Sequence, residues 1–245
     1  MGRAPHHHRR RRQQSGGGAT VSFWRVVRAV LARDVLAEWR RKDIFTTFVM
    51  FGLLTVVVFV FAFDPTRHER QDVVPGALWT AFFFAGILGL NRSAGRDSQD
   101  EFLHGMITSP ADRGALYLGK LTAHLVFMGV GELVILALSI VFFDLDGRHL
   151  TPAFFAIMIL GTIGYLAVGT VFAVVGQKTR LQEVMLPVLL LPVLTPLLMA
   201  AVEGTAIILT PGANEGLGHW IQLMAAFDVM FMTAGFLLYG LVLED

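Results

Sequence analysis

The 245-residue chain contains no cysteine, which excludes disulfides, thiolate metal sites, CxxC redox chemistry and covalent CxxCH haem attachment. Charge is scarce too: Asp, Glu, Lys and Arg make up 16% of residues, against 54% hydrophobic. A soluble domain needs more polar surface than that, so composition points to an integral membrane protein. A formal net charge of +1 offers nothing to nucleic acid. No HExxH and no Gly-x-Ser-x-Gly occurs. Gly114-Ala-Leu-Tyr-Leu-Gly119-Lys120-Leu121 approaches the phosphate-binding pattern GxxxxGK(S/T), but leucine stands where a hydroxyl must hold magnesium, and no strand precedes it. ATP hydrolysis is therefore expected in another chain, and this one is not expected to be an enzyme. Asp146-Gly147-Arg148 lacks the further ordered acids that a calcium loop or a CDP-alcohol phosphotransferase needs. A cleavable signal is missing as well, because the first apolar run starts only at Ile44 and is too long for one.

What is present is long apolar runs. Residues 1–19 read as a disordered basic leader rather than a metal or nucleic-acid patch, leaving 20–245 as a single membrane domain. A bilayer core about 30 Å thick takes about 20 helical residues. Six stretches qualify: Ile44–Phe63, Val74–Leu90, Leu121–Phe143, Pro152–Val175, Val184–Val202 and Trp220–Leu243. The second is short and is expected to start near Val73. Of the 20 Lys and Arg, all but Arg67, Arg70 and Arg148 fall on one side of these spans. The positive-inside rule therefore puts both termini and the 91–120 segment in the cytoplasm, with or without the leader's arginines. Trp79 and Trp220 then mark an outer aromatic belt, Trp39 and Tyr239 an inner one.

Ahead of the first span, SFWRVVRAVLARDVLAEWRRKD reads as an interfacial helix. Its apolar face carries Phe23, Trp24, Val27, Val30 and Leu31, with Arg25 and Arg28 away from the centre. Asp34 and Glu38 intrude on that face one turn apart, either to meet a protein partner or to mark a bend.

The polar stretch NRSAGRDSQDEFLHGMITSPADRGALYLGK, residues 91 to 120, separates the second and third spans. Ser98-Gln-Asp-Glu101 is a capping box and predicts a helix start at Ser98. Phe102, Leu103, Met106 and Ile107 would then share one face, while Asp100, Glu101 and His104 look elsewhere. Ser109-Pro110-Ala-Asp112 repeats the signal and predicts a second helix from Pro110 through Tyr117 and Lys120, at the interface, into the third span. A short surface helix fixed in this way can pass on a push from a cytosolic partner. It can equally be an amphipathic connector resting on lipid.

This layout resembles an ABC exporter permease of the ABC-2 type. More specifically, LNRSAGRDSQDEFLHGMITSPADRGALYLGKL (90–121), ELVIL (132–136) and LPVLLLPVLTPLL (186–198) resemble the CcmB family, the permease subunit of the haem-exporting cytochrome c maturation system. The similarity runs from about Phe23 to the C-terminus. Two features depart from the family pattern: Glu101, where glycine is usual, and the basic leader. The resemblance implies an all-α, six-span, multi-pass protein of a bacterial or archaeal inner membrane, with an N-terminal interfacial helix and a cytoplasmic coupling helix between spans two and three. It implies a dimer of this chain with two copies of a CcmA-type ATPase, contacts with CcmC- and CcmD-type membrane proteins, and service to a CcmE-type haem chaperone. Arg96, Asp97, Asp100, Glu101 and Phe102 would form the coupling helix that docks in the ATPase. Haem would be cargo rather than a firmly held cofactor, and ATP would bind only the partner. The rival is an ABC-2 permease for a drug, lipid or polysaccharide; a membrane scaffold or enzyme is a third class.

Among the residues themselves, Glu132 stands out. It lies near mid-span, where a charged carboxylate costs at least about 2.5 kcal/mol on insertion scales. It is either part of a substrate path or latch, or a protonated acid hydrogen-bonded across helices. Asp228, about eight residues into the last span, poses the same choice. His124 could ligate haem iron or be a satisfied interfacial histidine; it stands two helical turns, about 12 Å, from Glu132 and cannot touch it. Pro187, Pro192 and Pro196 should kink the fifth span and turn its freed carbonyls towards protein. Gly161, Gly164 and Gly169 in the fourth span permit close helix contact.

Overall fold

The computed structural model describes residues 22–63, 70–99, 112–177, 182–210, 212–213 and 215–244. These residues form seven α-helices: α1 (Phe23–Arg41), α2 (Asp43–Ala62), α3 (Arg70–Gln99), α4 (Arg113–Phe143), α5 (Pro152–Gln177), α6 (Gln182–Leu209) and α7 (Leu217–Glu244). A short 3₁₀ turn at Gly147–His149 leads into α5. Among the described residues no strand occurs. Helices α2 to α7 are each long and apolar enough to cross a membrane. The six expected spans are therefore present, with α6 ending seven residues beyond the expected Val202. The leader at residues 1–19, the second half of the capping box (Asp100 and Glu101), the amphipathic face at Phe102–Ile107 and Ser109–Pro110 lie outside the described residues.

The bundle is built around α3 and α5, whose apolar windows are 72% buried, whereas those of α2 and α7 are 22% buried. Helix α3 packs on α2 and α6, α5 on α6 and α7, and α1 lies along α4. Small residues set the spacing. A Cβ on Gly161 would overlap the Trp79 ring, and one on Gly169 would overlap Leu90, so α5 approaches α3 closely only because both positions are glycine.

Helix α1 turns most of the expected apolar face inward, Val27 and Val30 with Phe23 and Leu31 half-buried, but not Trp24. Val26, Val27 and Val30 are buried, but Trp24 is 65% exposed. The reason is its partner: Gly119 of α4 leaves room for Val30, and a Cβ there would collide with that side chain. The two acids on this helix both find partners inside the chain. Asp34 accepts from Lys120 of α4 at 2.8 Å, and Glu38 Oε1 accepts from Phe45 N at 2.8 Å. Glu38 thus caps α2 across the bend at Lys42, whose φ of 58° lies in the left-handed region.

Three other expectations are corrected. The 91–99 stretch is not the start of a loop: α3 runs unbroken through Ser98 to Gln99, since Gly95 alone does not end a helix and no proline interrupts it. Ser98 is therefore not an N-cap. Helix α4 begins at Arg113 rather than Pro110, because Asp112 itself is the N-cap and accepts from Gly114 N at 2.8 Å. Nor are Trp79 and Tyr239 belt residues facing lipid. Trp79 is buried and donates to Thr205 Oγ1 at 3.0 Å; Tyr239 is buried against Tyr117. Hydropathy sets a residue's depth, whereas packing sets which side of the helix it faces.

Helix α6 continues through Pro187, Pro192 and Pro196. The carbonyls of Val188 and Pro192, four residues before Pro192 and Pro196, lose their amide donors. Both residues are exposed on this chain. At the far end of the bundle, Arg148 donates to the exposed Asp146 and holds that carboxyl below its usual range; at such exposure the pair serves mainly to fix the turn.

Candidate functional site

Glu132 sits on α4 and is 8% exposed. The only residue type that an apolar helix can offer it cheaply is a hydroxyl already bonded to its own backbone, and α5 supplies one. Thr162 Oγ1 lies 2.7 Å from Glu132 Oε2 and 2.8 Å from Met158 O, one turn back. One hydroxyl hydrogen serves one acceptor at a time. A neutral carboxylic acid satisfies both contacts, with Glu132 donating to Thr162 and Thr162 donating to Met158 O. Behind this pair lies a small internal pocket of about 10 Å³ between Trp79, Phe82, Tyr165 and Leu197, room for about one water.

His124, two turns nearer the start of α4, is buried. Its Nε2 lies 2.8 Å from Ser93 Oγ of α3, and its Nδ1 lies 3.3 Å from Thr170 Oγ1 of α5. Both ring nitrogens are thus engaged, and the imidazole ties three helices together. One turn before it, Lys120 joins α4 to α1 through Asp34, and Tyr117 donates to Ala167 O of α5 at 3.1 Å. At the first turn of α4, Arg113 Nη1 donates to Gly240 O near the end of α7. The beginning of α4 is therefore fastened to α1, α3, α5 and α7.

Asp228 of α7 is 4% exposed, and neither carboxylate oxygen has a hydrogen-bond partner among the described residues. It fits because it lies against Gly164 of α5, where a Cβ would overlap Oδ1. Glu132, His124 and Asp228 do not form one site: among the described residues no hydrogen bond joins any two of them. Arg96 and Asp97 fall on the last turns of α3. Asp100, Glu101 and Phe102 lie outside the described residues.

Thr162, Ser93, Thr170 and Lys120 are the participants that sequence reasoning missed as partners. A hydroxyl within an apolar span is the available signal, and Thr162 stands between two glycines already marked for close contact. Which acid or base it would meet depends on helix rotation, which periodicity does not supply.

The profile of the CcmB protein family matches residues 25–238. The chain belongs to the CcmB family. Relatives include Heme exporter protein B of Pseudomonas aeruginosa, 26% identical over 174 residues that cover 71% of this chain and 78% of that protein. Heme exporter protein B of Escherichia coli strain K12 is 27% identical over 180 residues, covering 73% of this chain and 79% of that one. The matched region takes in all of α2 to α6 and every partner of Glu132, His124 and Asp228 described above. This CcmB chain is thus a multi-pass membrane protein in which Glu132 and His124 make polar contacts between helices.

Proposed function

We propose that this chain is the membrane permease subunit of a haem-export system for c-type cytochrome biogenesis, driven by ATP hydrolysis in a separate ATPase subunit. Family membership supports the transport role, since the relatives carry the name Heme exporter protein B. The observation that carries the coupling reading is the way the two ends of segment 100–111 are held. Helix α3 enters it and α4 leaves it as continuous helices, and Ser93–His124 bonds the two together inside the bundle. A rigid-body push on that segment would therefore move α3 and α4 as a unit, and α1 with them through the Lys120–Asp34 pair.

In this reading the termini and segment 100–111 are cytoplasmic, as the positive-inside rule places them, in the inner membrane of a bacterium or archaeon. Arg96, Asp97, Asp100, Glu101 and Phe102 meet a CcmA-type ATPase present in two copies, with two copies of this chain. CcmC- and CcmD-type proteins adjoin it, and haem reaches a CcmE-type chaperone outside. His124 spends both nitrogens on hydroxyls, which favours haem being held by a partner rather than by this side chain.

Replacing Asp100 and Glu101 together by lysine is expected to abolish co-purification of the ATPase subunit while leaving the permease in the membrane. Undiminished association would defeat the coupling assignment. Assembled c-type cytochrome should fall to background in cells lacking this chain; normal levels would favour export of another substrate.

A further inference from the structure

Glu132 borders a second space besides the small internal pocket. A groove of about 440 Å³ opens sideways between α4 and α5, with Glu132 and Thr162 at its floor. Its walls are Val126, Val130 and Leu133 of α4 and Phe155 and Ile159 of α5, all exposed. Gly129 lines it, and a Cβ there would stand in open space. Both helices that form the groove are long and apolar enough to cross a membrane, whose core is hydrocarbon.

The groove is apolar apart from its floor, and there the hydrogen-bonding account is incomplete. Thr162 occupies Oε2, while Oε1 receives no hydrogen bond among the described residues. A lipid tail lying in the groove would leave that acceptor unpaired in a low-dielectric setting, which is unfavourable. An anionic head would bring no hydrogen-bond donor to that oxygen. The complementary occupant has an apolar chain and one donor, and the groove's volume is that of a small-molecule site rather than a shallow surface crease.

We propose that this groove binds a membrane-soluble amphiphile whose amine or hydroxyl donates a hydrogen bond to Glu132. The site is separate from the ATPase-coupling segment and does not depend on haem being the cargo.

The test uses the full chain in lipid nanodiscs and three photoreactive probes of equal chain length: a long-chain alkylamine, the matching alcohol and the matching carboxylic acid. The amine and the alcohol are expected to label the Val126–Leu133 and Phe155–Thr162 peptides saturably, and the acid about tenfold more weakly. Gly129→Leu should fill the groove and cut labelling by the amine at least about tenfold. Glu132→Gln, which keeps a carbonyl acceptor, should weaken the amine more than the alcohol. Should Gly129→Leu fail to elute as a folded species, Val126→Trp obstructs the mouth from an exposed position and serves in its place. Equal labelling by all three probes would mean a plain lipid-facing surface and would overturn the proposal. So would labelling that survives the blocking variants, or a blocking variant that releases a co-purifying membrane protein without changing probe binding, since the groove would then seat a helix.

Discussion

Glu132 and Asp228 are both buried acids on spans that pack against α5, two residues apart in what they touch: Thr162 for one, Gly164 for the other. Glu132 is accommodated by chemistry, because a hydroxyl meets it at 2.7 Å. Asp228 is accommodated by space, because a missing Cβ leaves room for a carboxyl that bonds to nothing described. The contrast teaches that an apolar bundle can hold an acid in two ways, with different consequences. The bonded acid couples two helices and borders a groove from outside. The unbonded one only occupies a gap between α5 and α7.

The strongest challenge to this contrast is Gly164→Leu. The new side chain would overlap Asp228 Oδ1 and crowd Leu197, forcing α5 and α7 apart. Overpacking of this kind costs about 1–3 kcal/mol or more, so thermal unfolding in detergent should show a large drop in midpoint or no folded protein. A wild-type midpoint would mean that Asp228 has free room and is not held by the glycine. Thr162→Val comes next. It keeps the shape but removes the hydroxyl from Glu132, and polar contacts between membrane helices average about 0.6 kcal/mol with a maximum near 1.7. A reversible unfolding measurement in bicelles should register a loss in that range; a null effect would make the Glu132 contact incidental. Asp228→Asn should do least. With no partner to lose, its change is expected within about 0.5 kcal/mol, and a loss above about 1 kcal/mol would reveal a partner at that carboxyl.

Much of this architecture could be read from residue order. The six spans, the helix ahead of them and the close approach of α5 through Gly161, Gly164 and Gly169 follow from hydropathy, length and the absence of side chains. Glu132 and Asp228 stood out as buried acids because charge in an apolar run is costly wherever it points. Rotation about the helix axis was not legible. Trp24 faces out and Val26 in, because Gly119 of a distant segment admits Val30. Trp79 and Tyr239 have the hydropathy of belt residues but lie inside, since Thr205 and Tyr117 wait for them there. Local capping signals misled at Ser98, where helical hydrogen bonding simply continues from α3.

Sequence alone determined that this chain is greasy, many times spanning and without cysteine chemistry. Those properties are sums over local composition and need no knowledge of neighbours. Only the tertiary structure decided that His124 is spent on Ser93 and Thr170, that Lys120 clamps α1, and that Glu132 meets Thr162 where a lateral groove opens between α4 and α5. Each depends on which faces of two helices, far apart in the chain, come within 3 Å or so of one another, and a hydrogen bond's short reach makes that a question of packing rather than of order.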